Sequence, residues 1–312
     1  MSKGIAPRDA FGDILIEIGR RNPKVVVLNA DLASPARVEK FAKEFPERYI
    51  QVGIAEQNMI GIAAGLASVG YIPIATTFAM LASRRACDQV SISVAYPKLN
   101  VKIVGCYVGL LVGKLGATHQ CVHDLAIMRS IPNMVVLSPS DAKETKEAVK
   151  AAIEYNGPCY IRIERDSMPS IFGEDYKYEL GKGVTIREGK DISIIATGVM
   201  TPKAVEASKI LSKKGIEARI INIHTIKPID EEIIIKAAKE TRGIVTCENH
   251  SIIGGLGSAV SEIISEEFPV LLKRIGIQDM FGESGANEDL FRKYGMTEDI
   301  IVRSAMEIYR KR

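Results

Sequence analysis

The fold is decided by the stretch Val52-Gly-Ile-Ala-Glu-Gln-Asn-Met59, because it places one carboxyl group at the start of a long uncharged sequence. Residues 57–83 include no Asp, Glu, Lys, Arg or His. Small and apolar residues on every side predict a helix over Ala55–Val69 that is buried in a core or in a subunit interface. The acid, Glu56, is then either solvated at the helix N-terminus or buried for a function. The local sequence leaves both interpretations open.

The length of this uncharged run also raises the question of a membrane span. However, Gly70-Tyr-Ile-Pro73 interrupts the run, and the residues Ile72–Phe78 have the composition of a strand. We therefore expect a helix, a turn and a strand that are all buried within protein, and we expect no membrane partner.

Short apolar runs alternate with amphipathic stretches through the first half of the chain. This alternation predicts parallel strands that are buried on both faces and covered by helices. The predicted strands are Val25–Leu28, Ile72–Phe78, Val101–Val104, Met134–Leu137 and Tyr160–Ile163, and the predicted helices are Arg8–Gly19, Ala55–Val69, Arg85–Ala95 and Asp141–Tyr155. We interpret residues 1–170 as a doubly wound α/β domain.

The composition changes over residues 171–190, which we interpret as a linker. The alternation then resumes on a smaller scale over residues 191–312. The predicted strands here are Ile192–Ala196, Ala218–Ile223, Ile244–Thr246 and Val270–Ile275, and the predicted helices are Thr201–Lys214, Asp230–Glu240 and Gly257–Glu266. The expected fold class is therefore α/β, with two doubly wound α/β domains.

Bulk composition narrows the class of protein further. A formal net charge of +3 over 312 residues is too small to indicate a nucleic-acid or anionic-membrane partner. The five cysteines are scattered without a CxxC pair, which indicates thiols in a reducing compartment rather than disulfides or a zinc site. The first residues show no export signal, so we expect a cytoplasmic protein.

Six short segments occur in a fixed order along the first domain. They are Asn29-Ala-Asp-Leu-Ala-Ser34, Gly53-Ile-Ala-Glu-Gln-Asn-Met59, Thr76-Thr-Phe78, Gly116-Ala-Thr-His-Gln120, Ile131-Pro-Asn-Met134 and Ser138-Pro-Ser-Asp141. This ordered set resembles the pyrimidine-binding domain of the transketolase-type thiamine diphosphate enzymes. The second domain, with Glu248-Asn-His250 and Gly254-Gly-Leu-Gly257, is similar to the C-terminal domain of the same family. The resemblance covers essentially the whole chain.

The resemblance implies that Glu56 and His119 are catalytic. The carboxyl group of Glu56 would hydrogen-bond a ring nitrogen of the aminopyrimidine and favour its imino tautomer. The exocyclic nitrogen would then remove the proton from the thiazolium carbon. Apolar surroundings favour a carboxyl group that keeps or shares a proton, whereas a helix N-terminus favours the ionised form. We expect the dry surroundings to prevail, and therefore expect Glu56 to be buried.

Further cofactor contacts follow from the same resemblance. Phe78 would stack on the pyrimidine ring, Asp31 would lie close to it, and Leu81 would form an aliphatic wall of the pocket. His119 would lie near the cofactor amino group and the sugar oxygens. Three of these residues also fit a purely structural role. Phe78 is compatible with packing in a hydrophobic core and Asp31 with capping a turn, and a lone histidine such as His119 is often structural.

Arg8, Ser34 and Arg165 match family positions that bind the terminal phosphate of the substrate. Guanidinium groups pair bidentately with phosphate oxygens, and a hydroxyl adds a donor. Two positions depart from the family pattern. Leu115 stands where many transketolases carry an Asp, and Tyr107 stands where a phosphate-binding His is often found. We expect the sugar preference and the phosphate recognition to be altered accordingly.

A third departure concerns the pyrimidine pocket, where Leu81 and Arg84 replace further aromatic residues of the family.

The sequence has no Gly-Asp-Gly motif. In the family, this motif belongs to a separate domain that holds the diphosphate and its divalent metal. We therefore expect the C-terminal subunit of a split transketolase, which contributes no metal ligand. Its cofactor would be thiamine diphosphate, with Mg²⁺ or Ca²⁺ held by a partner N-terminal subunit.

The expected assembly is an α2β2 heterotetramer in which this chain self-associates through its pyrimidine-binding domain. The expected reaction is transfer of a two-carbon ketol unit from a ketose or its phosphate to an aldose or its phosphate, and the expected partners include sugar phosphates. Three other interpretations stay open: the β subunit of a 2-oxo acid dehydrogenase first component, a related ketose-phosphate synthase that decarboxylates pyruvate, and a non-catalytic homologue. Ala117-Thr-His-Gln120 and Ala30-Asp-Leu32 favour transketolase over the first. The second normally keeps its metal-binding domain in one chain, and retained Glu56, Phe78 and His119 argue against the third.

Overall fold

The chain forms two sheets in a computed structural model that describes residues 4–311. The twelve strands within this range are β1 (Val25–Asn29), β2 (Tyr49–Gln51), β3 (Ile72–Phe78), β4 (Lys102–Cys106), β5 (Val135–Leu137), β6 (Cys159–Ile163), β7 (Val184–Arg187), β8 (Ile192–Ala196), β9 (Ala218–Asn222), β10 (Thr225–Lys227), β11 (Gly243–Ser251) and β12 (Leu271–Ile277). Residues 1–3 and 312, at the ends of the two predicted domains, lie outside the described range.

Helices cover both sheets. They are α1 (Pro7–Arg21), α2 (Glu39–Glu44), α3 (Glu56–Ser68), α4 (Asp124–Ser130), α5 (Ala142–Glu154), α6 (Met200–Ser212), α7 (Glu231–Glu240), α8 (Leu256–Glu267), α9 (Asn287–Lys293) and α10 (Glu298–Arg310), with short 3₁₀ turns at Pro46–Arg48 and Gly113–Leu115. Two π-helical segments occupy Leu81–Arg85 and Gln89–Ala95. None of the helices between residues 4 and 311 is long and apolar enough to cross a bilayer.

The first sheet has seven strands in the order β10-β5-β6-β4-β3-β1-β2. Strands β1 to β6 pair in parallel, and β10 joins β5 antiparallel. The chain passes from β1 to its neighbour β2 on one side and then crosses to β3 on the other side. This reversal creates a topological switch point, and ligands of such sheets bind outside the carboxyl ends of the strands at that point.

The second sheet has five strands in the order β12-β11-β8-β9-β7. All neighbours pair in parallel except β7, which is antiparallel to β9. The α/β class with two doubly wound sheets is thus confirmed. Strand β7 lies within residues 171–190, which the sequence indicated as a linker, so part of that segment belongs to the second sheet. The division of the chain into domains at those residues stays a prediction.

The helix predicted over Arg85–Ala95 does not have the hydrogen-bonding pattern of an α-helix. Its backbone is helical, but the turns at Leu81–Arg85 and Gln89–Ala95 are wider than α-helical turns. Such π segments are rare and frequently occur at functional sites. The widened turns change the direction in which the side chains of this segment point.

A buried polar network joins the two sheets. Arg162 on β6 donates to Asp124 Oδ2 at 2.9 Å and to the carbonyl of Asn249 on β11 at 2.7 Å. Tyr160 donates its hydroxyl to the same Asp124 oxygen at 2.8 Å, and Asn249 donates its amide to Glu164 Oε1 at 3.3 Å. All five side chains are buried. Arg162 therefore lies between both acids, while Oδ1 of Asp124 and Oε2 of Glu164 are buried without a hydrogen-bond partner among residues 4–311.

Burial raises the pKa of Glu164 from 4.5 to about 7, even though Arg162 and Asn249 favour the ionised form. The unfolded chain releases this proton near pH 4.5, whereas the folded chain keeps it until about pH 7. Stability from this group is therefore present at low pH and lost as the pH rises between these values. We expect Glu164→Gln to gain stability over the wild type by up to about 3 kcal/mol between pH 5 and pH 8.

Urea unfolding of the full chain at pH 5, 6, 7 and 8 measures this difference. Glu266→Gln, on the exposed surface of α8, is the matched control and should follow the wild type. Parallel stability curves for Glu164→Gln and the wild type would contradict the assignment.

Candidate active site

A cavity of about 310 Å³ lies where the loops after β1 and β3 meet the start of α3, at the switch point of the first sheet. Its lining includes Asp31, Glu56, Phe78, Leu81, Arg85 and His119. The structure thus brings together all five cofactor-pocket and catalytic residues that the sequence indicated, and adds Arg85.

A larger groove of about 530 Å³ lies beside α6. Its lysines, Lys203 and Lys209, are already paired with Glu298 at 2.8 Å and Glu206 at 2.7 Å. The cavity at the switch point differs because it contains a buried polar atom without a partner, so we take that cavity as the candidate site.

The unpartnered atom belongs to Glu56, in the first turn of α3. The residue is 1% exposed. Its Oε2 accepts a hydrogen bond from Nη1 of Arg85 at 2.7 Å, while its Oε1 is buried and has no hydrogen-bond partner among residues 4–311. A buried carboxyl oxygen without a partner is costly unless a ligand completes it. This carboxyl group is half paired and has one position left for a ligand.

The loop that carries Glu56 is fixed by one side chain. Gln51 Oε1 accepts the backbone N–H of Asp31 at 2.8 Å and that of Gly53 at 3.0 Å. It thereby ties the loop after β1 to the loop that leads into α3. Gly53 has a φ of +72°, a conformation that a residue with a Cβ adopts only with strain. Asp31 has a φ of +58°, which Asp tolerates better than most residues.

Aromatic rings form one side of the site. Phe78, at the end of β3, packs against Tyr107 with 4.5 Å between ring centroids, and the ring of His119 meets it edge-on at 5.7 Å. Nδ1 of His119 lies 2.9 Å from the hydroxyl of Thr118. This contact orients the imidazole beside the aromatic wall.

The loop of His119 is supported by the second domain. Gly116 has a φ of +75°, and a Cβ at this position would lie 2.6 Å from Oγ of Ser284. Gln120 is buried and donates its amide to the carbonyl of Glu283 at 3.0 Å. Residues of the second half of the chain therefore hold this loop in place.

The residues indicated for phosphate binding are only partly brought together. Arg8 Nη1 donates to the hydroxyl of Tyr107 at 3.0 Å, and the guanidinium of Arg165 lies 5.3 Å from the centroid of the Tyr107 ring. Nε of each arginine is buried and has no acceptor in the part of the chain that the structure describes. Ser34 is exposed, and no hydrogen bond described within residues 4–311 joins its hydroxyl to either arginine.

Sequence reasoning missed two residues of this arrangement. It considered Arg84 as a departure in the pocket, but the structure places its neighbour Arg85 on Glu56. It considered Tyr107 as a missing histidine, but the structure places it between Arg8, Arg165 and Phe78. The pair Arg84-Arg85, the first charges after the uncharged run, was the only available signal for a counter-charge to Glu56.

The cavity fits the aminopyrimidine half of thiamine diphosphate. The free Oε1 of Glu56 can bond a ring nitrogen, the Phe78 ring offers an aromatic face and Leu81 an aliphatic one. Within residues 4–311, no group of three or more His, Cys, Asp or Glu side chains is arranged to hold a metal ion.

Comparison with protein families finds a match over each half of the chain. The transketolase pyrimidine-binding domain matches residues 3–170, and the transketolase C-terminal domain matches residues 181–301. A solved structure described as a split gene transketolase, inactive beta4 tetramer, has a TM-score of 0.92 at 48% identity and covers 98% of this chain and 99% of that chain. A transketolase structure from Campylobacter jejuni, at 21% identity and a TM-score of 0.84, covers 98% of this chain and 47% of that chain and shares the fold.

Relatives of similar length carry related names. A putative transketolase C-terminal section from Methanocaldococcus jannaschii is 48% identical over 97% of this chain and 96% of its own length. A 6-deoxy-6-sulfo-D-fructose transketolase subunit from Clostridium sp. is 44% identical over 96% and 94%. A subunit of an apulose-4-phosphate transketolase from Phocaeicola vulgatus is 39% identical over 98% of both chains. With two domain matches in order and relatives aligned over nearly its full length, this chain belongs to the transketolase family.

Proposed function

We propose that the chain is the C-terminal subunit of a two-chain transketolase. It transfers a two-carbon ketol unit from a ketose to an aldose, with sugar phosphates as substrates, through thiamine diphosphate. A separate N-terminal subunit holds the diphosphate and its divalent metal, Mg²⁺ or Ca²⁺. The observation that carries this proposal is the half-paired, buried carboxyl group of Glu56 on a cavity that also contains Phe78 and His119.

When bound, thiamine diphosphate would supply the nucleophilic carbon for ketol transfer. Glu56 would hold the pyrimidine ring nitrogen through Oε1 and share a proton with it. Phe78 would offer the ring an aromatic contact, and Asp31 and Leu81 would line its pocket. His119 donates or accepts hydrogen bonds at the sugar oxygens, with its ring oriented by Thr118. Removal of water by the partner subunit strengthens each of these electrostatic contacts.

Arg8, Arg165 and Tyr107 bind the anionic end of the sugar, with Ser34 at the rim. The unpaired Nε groups of both arginines support this assignment, because a buried N–H without an acceptor favours an incoming anion. The Tyr107 hydroxyl already accepts from Arg8, so its own proton is free to be donated to the substrate. Tyrosine thereby replaces the histidine of many relatives with a neutral donor.

Self-association through the first domain is supported by the surface of α3. A Cβ built on Gly61 or Gly65 meets no atom within 4 Å, so another backbone can approach this face closely. Val69, which follows α3, and Tyr96, which follows the second π-helical segment, are 71% and 79% exposed. Exposed apolar surface of this kind indicates an interface. We propose an α2β2 assembly, with two copies of this chain and two of the N-terminal subunit.

The direct test is reconstitution with an N-terminal subunit that carries Gly-Asp-Gly, in the presence of thiamine diphosphate and Mg²⁺. We expect ketol transfer from the mixture but not from this chain alone. Glu56→Gln should reduce kcat about 100-fold or more, since a positioned proton-transfer group contributes at least this much. Glu266→Gln, remote from the cavity on α8, should keep full activity. Turnover by the isolated chain, or full activity of Glu56→Gln, would refute the proposal.

Tyr107→Phe tests the anion-binding end. Loss of the hydroxyl removes one donor to the anion and one acceptor for Arg8, while the ring against Phe78 remains. We expect KM for phosphorylated substrates to rise about 10-fold, because a hydrogen bond to a charged group contributes roughly 1.5 kcal/mol or more. Uncharged sugars should keep their KM, and kcat should change little.

Tyr309→Phe, on α10, is the control for removal of a phenolic hydroxyl. An equal rise in KM for charged and uncharged sugars would show that Tyr107 supports the fold of the site and does not recognise the anion.

A further inference from the structure

The ion pair between Glu56 and Arg85 joins two elements at the cavity. Glu56 begins α3, and Arg85 ends the π-helical segment Leu81–Arg85. The Glu56 side chain is fully buried, whereas 49% of the Arg85 side chain is exposed. The arginine thus reaches inward from the surface and places its guanidinium on a carboxylate that has no contact with solvent.

The pairing makes the two carboxylate oxygens unequal. Oε2 is occupied by Arg85 Nη1 at 2.7 Å, so only Oε1 is free for a ligand. Rotation of the carboxyl group by half a turn would exchange the oxygens without changing the contact, but any other rotation would break it. Arg85 therefore restricts the direction in which Glu56 can offer its free oxygen.

The charged and titratable groups that line the cavity with Glu56 are Asp31, Arg85 and His119. Asp31 is exposed on the loop after β1, and His119 has Nδ1 engaged with Thr118. Within the described residues, Arg85 is the group whose side chain contacts the Glu56 carboxylate. A guanidinium at this distance forms a charge-assisted hydrogen bond, which fixes the geometry of the carboxyl group.

We propose that Arg85 is a positioning residue for Glu56, which fixes the rotation of its carboxyl group and so aims Oε1 at the pyrimidine nitrogen. This inference rests on the proposed function, because the ring it concerns is that of thiamine diphosphate. Arg85 contacts neither sugar nor ring in this role and acts through Glu56.

The effect of this positioning on the cofactor can be measured in the reconstituted complex. Calorimetric titration gives the Kd of thiamine diphosphate. In Arg85→Gln, the carboxyl group of Glu56 loses the ion pair that restricts its rotation. We expect this variant to bind thiamine diphosphate about 10-fold more weakly than the wild type, because the hydrogen bond to the ring nitrogen is no longer aimed. Arg85→Lys, which keeps a cationic donor, should recover most of the difference.

Arg20→Gln is the matched control, since it removes the same charge from an exposed pair between α1 and Glu44 on α2. It should bind thiamine diphosphate as tightly as the wild type. An equal Kd for Arg85→Gln and the wild type would overturn the inference, as would an equal rise of Kd in Arg85→Lys and Arg85→Gln.

A second measurement needs no partner subunit. In the isolated full chain, Arg85→Gln should lower the urea midpoint, because it leaves a buried carboxylate without its partner. Adding Glu56→Gln should recover most of that loss, whereas independent sites would show additive losses. Additivity would overturn the inference. The two levels of failure are distinguishable. Full activity of Glu56→Gln refutes the proposed function, whereas an inactive Glu56→Gln together with an unchanged Kd for thiamine diphosphate in Arg85→Gln refutes the role of Arg85 alone.

Discussion

The whole site depends on keeping one carboxyl group out of water with only half of its hydrogen-bonding capacity satisfied. A fully unpaired carboxylate could not stay buried, and a fully paired one would have nothing to offer a ligand. Glu56 lies between these limits because Arg85 occupies one oxygen and leaves the other free. The start of α3, the Gln51 clamp on its loop and the widened turns around Arg85 all serve to maintain this state.

The same construction explains which features could be predicted from sequence. The inner strands β1, β3, β4 and β6 are buried almost throughout, so they form largely apolar runs. Strands β7 and β10 lie at sheet edges and are short or half exposed, so no apolar run marks them. The burial of Glu56 could be predicted because the residues that follow it in the sequence are uncharged. Its pairing with Arg85, 29 residues away, depends on the π-helical turns, which no periodicity in the sequence reveals.

Tyr107 joins the aromatic side of the cavity and the two arginines proposed to bind the anion in one packed unit. Its ring rests on Phe78, while its hydroxyl and its π-face contact Arg8 and Arg165. Its φ of +61° is uncommon for a residue with a side chain of this size, and such strain persists where the surroundings enforce it. In physical terms, the departure from histidine removes a group whose charge varies near neutral pH and retains a hydrogen-bond donor.

The support of the His119 loop by Glu283 and Ser284 connects the second domain to the cavity. The two halves of the chain are therefore not independent modules. Small shifts of the loop around residue 284 would be transmitted through Gln120 to the imidazole of His119, which lines the cavity. Under the proposed function, substrate preference can therefore diverge through changes in the second domain, far from the cofactor pocket.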